Sequence, residues 1–134
     1  MLDVTGRCHC GEVAFTASVD AARVTICHCT DCQRLTGSAY RVTVPAPAAS
    51  FRLLRGTPTT YVKTGDNGNR RQHGFCPTCG TPIYSAALVD PTTYGLRVGT
   101  IDQRAALPPA RQIWCRSALD WSRDLSGLPG VERQ

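Results

Sequence analysis

Apolar and polar residues alternate in short runs along most of the chain, and glycine or proline separates one run from the next. AYRVTV (39–44) is the clearest, with Tyr40, Val42 and Val44 on one side. EVAFTASV (12–19) and ARVTIC (22–27) precede it. FRLLRG (51–56) and TTYVKT (59–64) follow at a short interval. IYSAALV (83–89), TYGLRVG (93–99) and RQIWCRS (111–117) complete the set. A period of two in short, evenly spaced segments predicts half-buried strands, so the expected fold class is mainly β with short helical turns. CTDCQRLTG (29–37) is the one segment that reads as helical, one or two turns with Gly37 as the stop and Asp31 as a cap. Asn67-Gly68 within TGDNGNR and VDPTT (89–93) are the strongest turns. PAPAAS (45–50) reads as a proline-broken link too short to divide domains.

No repeat, heptad or low-complexity tract interrupts the pattern, and 134 residues lie within the size of one ordinary domain. A single domain over 1–134 is expected, its core spanning about 4–122 and its tail 123–134. The opening MLDVTGRCHC has neither a basic run nor an apolar stretch, and no segment approaches the roughly 20 apolar residues of a membrane span. A cytoplasmic, non-membrane protein is therefore expected.

Cysteine changes this picture. Seven of the eight fall into C-x-C (8, 10), C-x-C-x-x-C (27, 29, 32) and C-x-x-C (76, 79). Such spacing brings sulfurs to one point, which suits a metal better than disulfides, since C-x-C neighbours pair poorly with each other. Cys8, Cys10, Cys76 and Cys79 together make the four thiolates of a closed structural Zn²⁺ site. Cys27, Cys29 and Cys32 make three, the ligand count of a catalytic zinc with one open position. Three other accountings stay open at this point. One structural zinc could take mixed ligands. An iron–sulfur cluster could form, although these spacings do not match ferredoxin patterns. His73, Asp31 or Cys115 could close the second site. His9 and His28 lie between ligating cysteines, where a side chain tends to point away. Cys115, between Trp114 and Arg116, reads as a small buried hydrophobe.

The formal charge is +5. Seven thiolate charges against four from two Zn²⁺ would lower it to +2, which weakens the argument for a nucleic-acid partner. Lysine occurs once, the arginines are scattered and aromatic residues are not interleaved with them, so nucleic acid is not expected. Pairing of two copies through an exposed sheet edge is a further expectation.

The stretches GRCHCGEVAF, ICHCTDCQRLTGSAY, FRLLRGTPTTY, GFCPTCGTPIY and YGLRVGTID resemble the glutathione-dependent formaldehyde-activating enzymes, a family that includes centromere protein V. The weaker RQIWCRSALDWSRDL extends the match over nearly the whole chain. The resemblance implies an Mss4-like fold, a closed zinc on Cys8, Cys10, Cys76 and Cys79, and a second zinc on Cys27, Cys29 and Cys32. It implies a carbon–sulfur lyase that joins a small thiol such as glutathione to a small aldehyde such as formaldehyde, or releases it. Candidate groups around that chemistry are His28, Thr30, Arg34 and His73 as donors, with Arg34, Arg70 and Arg71 as contacts for an acidic thiol. The alternative is a zinc-stabilised binding module or thiol carrier without turnover. The chain departs from the family pattern at three places. RRQHGFC puts His73-Gly74 where an arginine often precedes Phe75, Gln112-Ile113 replaces the usual His-Ile, and Cys115 stands where valine is common.

Overall fold

Strand β1 (Leu2–Arg7) runs antiparallel to β2 (Ala14–Val19), and β5 (Arg52–Arg55) adds to the far edge of β2. These three make a small sheet. The second sheet has seven strands: β3 (Thr25–Cys27), β4 (Arg41–Pro47), β6 (Thr59–Thr64), β7 (Arg70–Phe75), β8 (Pro82–Ala87), β9 (Thr93–Arg97) and β10 (Arg111–Ile113). Their spatial order is β10-β3-β4-β9-β8-β7-β6, antiparallel throughout except for the parallel pair β10–β3. One α-helix, α1 (Thr30–Thr36), connects β3 to β4. This computed structural model describes all 134 residues.

The expected β-rich class is the observed one, and the differences are local. PAPAAS is no link: β4 continues through Pro45 and Pro47, and only Ala48–Ser50 turns as a 3-10 segment. The strand tolerates the prolines because β3 ends opposite Arg41–Thr43, leaving that edge of β4 unpaired from Val44 onward. The Pro45 carbonyl on this edge accepts instead from the Asp20 N–H at 3.0 Å. RQIWCRS is a strand only over 111–113. Trp114 takes a left-handed conformation (φ 55°), and Cys115–Ser117 form a 3-10 turn. Cys115 is consequently exposed, not a buried hydrophobe.

The two sheets close on one apolar core. Val4, Phe15 and Val19 enter from the small sheet, and Val44, Tyr84 and Leu96 from the large one. Phe51, just before β5, stacks on Tyr94 (4.7 Å between centroids) and meets Tyr84 and Phe15 at 5.6 Å each. Fully burying side chains of this size stabilises by roughly 2–3 kcal/mol apiece before conformational entropy is set against it. Close approach explains Gly74, where a Cβ would lie 2.4 Å from the Tyr84 ring.

Because strand side chains alternate, the residues between these core positions share the other face of the large sheet. Register places Cys27 opposite Arg41, Thr43 opposite Arg97, Ser85 opposite both Gly95 and His73, and His73 opposite Tyr61. A polar band thus crosses five antiparallel strand pairs, from β3 to β6, and its β3 end is a cysteine.

Candidate metal centres and the polar face between them

The first cysteine group is assembled by two tight loops. Cys8 and Cys10 follow β1, and Cys76 and Cys79 follow β7. Gly11 (φ +83°) and Gly80 (φ +76°) supply the left-handed turns that close each loop. All four Sγ atoms lie within 4.8 Å of one another. Cys8 Sγ is 3.6 Å from Cys10 Sγ, and Cys10 Sγ is 3.8 Å from Cys76 Sγ. A tetrahedral metal with bonds of about 2.3 Å to sulfur requires sulfurs about 3.8 Å apart, so the arrangement fits zinc. Backbone N–H groups point at the sulfurs, Val13 to Cys8 Sγ at 3.3 Å and Cys79 to Cys76 Sγ at 3.5 Å. The Thr81 hydroxyl, helped by backbone N–H groups, holds the Cys79 thiol down at about 5.

The second group is Cys27, Cys29 and Cys32, whose Sγ atoms also lie within 4.8 Å of one another. No histidine, carboxylate or further cysteine joins them. Cys27 ends β3, Cys29 caps α1, and Cys32 lies in the first turn of the helix. Cys29 Sγ accepts from the Cys32 N–H at 3.3 Å, so the cap is a sulfur and not Asp31. Asp31 pairs instead with Lys63 Nζ at 2.6 Å, and that ammonium holds its carboxyl below the usual range. Burial pushes the Cys32 thiol up to about 12, so this sulfur holds a negative charge only against a bound cation.

The other predicted site residues fall in different places. His28 is buried and faces the C-terminal strand: its Nε2 is 2.7 Å from Gln112 Oε1, and its ring meets Tyr40 edge-on at 5.4 Å. The Gln112 that departs from the family pattern is thus the partner of His28. Arg34 is exposed on α1 and makes no hydrogen bond to the protein. Thr30, Arg70 and Arg71 line an open groove of about 1130 Å³ beside Cys29, together with Lys63, Trp114 and Arg116. His73 lies on the polar face, where Arg97 Nη2 donates to its Nδ1 at 3.2 Å.

Residues 3–117 match the sequence profile of the family described as "Glutathione-dependent formaldehyde-activating enzyme". The chain belongs to the glutathione-dependent formaldehyde-activating enzyme family. Its fold is the Mss4-like one implied by the sequence. The crystal structure of a Rhodobacter sphaeroides protein, a structural-genomics target, superposes with a TM-score of 0.62 at 23% identity. The match covers 81% of this chain and 98% of that one. The likeness is one of fold. No helix here is long and apolar enough to cross a membrane.

For this family member, sequence reasoning overlooked Arg41 and Arg97. Both are buried, at 9% and 7% exposure. Arg97 Nη1 donates to Thr43 Oγ1 at 3.2 Å, and its Nη2 occupies His73 Nδ1. Burial, then the neighbouring Arg41, pushes Arg97 down to about 9, so it remains a cation at neutral pH. Because guanidinium only donates, Nδ1 of His73 must accept and its proton resides on Nε2. That Nε2 is buried without a partner. The one available signal was the alternation Arg41-Val42-Thr43-Val44, which marks a strand with one polar face turned into the protein.

Burial, then the charges of Arg97 and Arg41, push His73 down to about 4. Unfolded, the same imidazole titrates near 6.5. The unfolded chain therefore binds the extra proton between these values. His73 contributes full stability above pH 6.5 and loses it as pH falls towards 4. Relative to a His73→Gln variant, the protein is expected to lose roughly 2–3 kcal/mol between pH 7 and pH 4.5, read from urea midpoints. Equal losses in the two proteins would contradict the assignment. Acid loss of metal affects both and cancels in the comparison.

Proposed function

We propose that the protein is a zinc-dependent enzyme of the carbon–sulfur lyase type, which adds a small thiol to a small aldehyde such as formaldehyde or releases it. The observation that carries this reading is the count at Cys27, Cys29 and Cys32: three sulfurs converge, no fourth protein ligand joins them, and an open groove begins at Cys29. Zn²⁺ held by these three would supply an open coordination position that favours an incoming thiol as its thiolate at neutral pH.

The remaining work falls to the chain. The groove presents Lys63, Arg70, Arg71 and Arg116 against Asp31 and Asp66, an excess of positive charge suited to a thiol bearing carboxylates, such as glutathione. Addition forms a sulfur–carbon bond, moves the carbonyl π pair onto oxygen and places the thiol's proton there. His73 Nε2–H, buried and unpartnered, is the donor available on the polar face to meet that oxygen. Charge favours delivery of the thiol over polarisation of the carbonyl. Three thiolates leave a divalent metal at −1 and a fourth makes it −2, and the two buried guanidiniums, Arg41 and Arg97, offset that total.

Cobalt substitution tests the reading. Glutathione added to the Co²⁺-loaded protein is expected to strengthen the sulfur-to-cobalt charge-transfer band at a single site, with the change lost at acidic pH. A spectrum indifferent to glutathione and to other small thiols overturns it.

A further inference from the structure

Between α1, the polar sheet face and the loop of Cys76–Cys79 lies a second cavity, of about 380 Å³. Arg41, His73 and Arg97 line it, with Leu35, Tyr61 and Phe75 among the walls. No cysteine lines it, but two of its lining residues neighbour the three-cysteine cluster. Leu35 stands one helical turn after Cys32, and Arg41 is directly across the strand pair from Cys27.

Its charge is unusual. Arg41 and Arg97 are both buried residues, with no carboxylate against either guanidinium; the protein's one ion pair is Lys63–Asp31, elsewhere. The partners of Arg97 are a threonine hydroxyl and a neutral imidazole, and its Nε has none. The Arg41 side chain makes no hydrogen bond, and its Nε is buried and unpartnered. A neighbouring three-thiolate zinc would carry −1, which leaves one positive charge uncancelled until a thiolate joins it; the unpartnered guanidinium N–H groups call for an acceptor in either state. Burying cations without compensation is expensive, and sites that keep them usually meet an anion there.

We propose that this cavity is a carboxylate subsite, and that the aldehyde partner of the thiol carries the carboxylate, making it a small oxo acid. The second half rests on reading the three-cysteine cluster as the thiol site. A planar guanidinium edge matches a carboxylate with two parallel N–H bonds. The apolar walls of Leu35, Tyr61 and Phe75 suit the hydrocarbon part of an organic acid and offer nothing to a phosphate that needs donors on every side. A carboxylate seated on Arg41 holds the adjoining carbonyl carbon at the side of the cavity nearest Cys27, the residue Arg41 faces across the β3–β4 pair.

The test uses zinc-loaded, full-length protein without thiol. Acetate, glyoxylate and inorganic phosphate are titrated at constant ionic strength, and the arginine Nε–H resonances are followed by ¹⁵N-edited NMR. Acetate and glyoxylate are expected to shift two buried arginine signals saturably, with phosphate at least tenfold weaker. Arg41→Gln is expected to weaken glyoxylate at least tenfold while two zinc ions per chain remain and the melting temperature holds or rises. The proposal is overturned by arginine signals unmoved by either carboxylate, by tighter binding of phosphate, or by unaltered affinity in Arg41→Gln. Loss of zinc in that variant with no carboxylate response in the wild type would make the arginines mere counter-ions of the cysteines, and overturns it too. The wild-type titration decides the matter even if the variant fails to fold. A cobalt spectrum that responds to thiol beside a null carboxylate titration removes only the subsite. The reverse pair of results removes the thiol reading and with it the oxo-acid half, and leaves the carboxylate subsite.

Discussion

Replacing Cys76 with serine is expected to abolish cooperative folding, and replacing Cys10 to do the same. Cys76 is fully buried within the apolar core, whereas Cys10 is exposed. If the sulfurs mattered only through burial, the two substitutions would differ widely. If they matter through a shared metal they should agree, because either leaves three ligands. The closed group fastens the loop after β1, in the small sheet, to the loop after β7, in the large one. Structural zinc sites of this kind contribute about 10–16 kcal/mol at neutral pH, as much as the whole stability of an ordinary domain, about 5–15 kcal/mol. Losing most of that leaves little to oppose chain entropy. Both variants should show no sigmoidal far-UV circular dichroism melt and at most one zinc per chain by elemental analysis. A strong chelator should erase the wild-type transition in the same way. A Cys10→Ser protein that melts cooperatively within a few degrees of the wild type would show that this metal is dispensable.

The sequence exposed the two cysteine groups because their ligands come in local knots: two short loops meet, and the chain between them need not be understood. Class and helix position were legible for a similar reason, since AYRVTV shows its period of two and Gly37 stops α1 in the left-handed conformation expected of it (φ 60°). Strand β7 was not. Its sequence, RRQHGF, turns Gln72 and Gly74 to one side and Arg71 and His73 to the polar face, so no apolar alternation betrays it. Strand β1 has the alternation, but Gly6 occupies an inward position because the Phe15 ring fills the space of a side chain. Arg41 and Arg97 are 56 positions apart and meet only through the β4–β9 register. Pairing of that kind is a property of the sheet. Cys115 misled because the strand around it ends early, at a left-handed Trp114.

The two cysteine groups should part company when the second is broken. Cys29→Ala is expected to keep the cooperative melt, lower its midpoint by only a few degrees, retain one zinc and lose thiol–aldehyde turnover by roughly 10²–10⁴-fold. The modest cost in stability has two sources. Cys29 caps a helix of only seven residues, and a lost cap costs about 1 kcal/mol. The three-cysteine group also lies within a single β3–α1 segment, so its metal closes a short loop and fastens no distant parts of the chain. The large cost in rate also has two sources. A free thiol with a pKa near 8.5 is only about 3% thiolate at pH 7, so losing the metal's hold on the thiolate forfeits up to ~30-fold. The rest is positional, since on the proposed reading the thiol is no longer fixed beside the polar face that receives the carbonyl. Cys115→Ser is the matched control: an exposed cysteine outside both groups, whose removal should change neither zinc content nor rate. A Cys29→Ala enzyme as fast as the wild type would move the chemistry away from this cluster, and the single-zinc protein would then be a scaffold whose working groups are sought along the arginine-lined face.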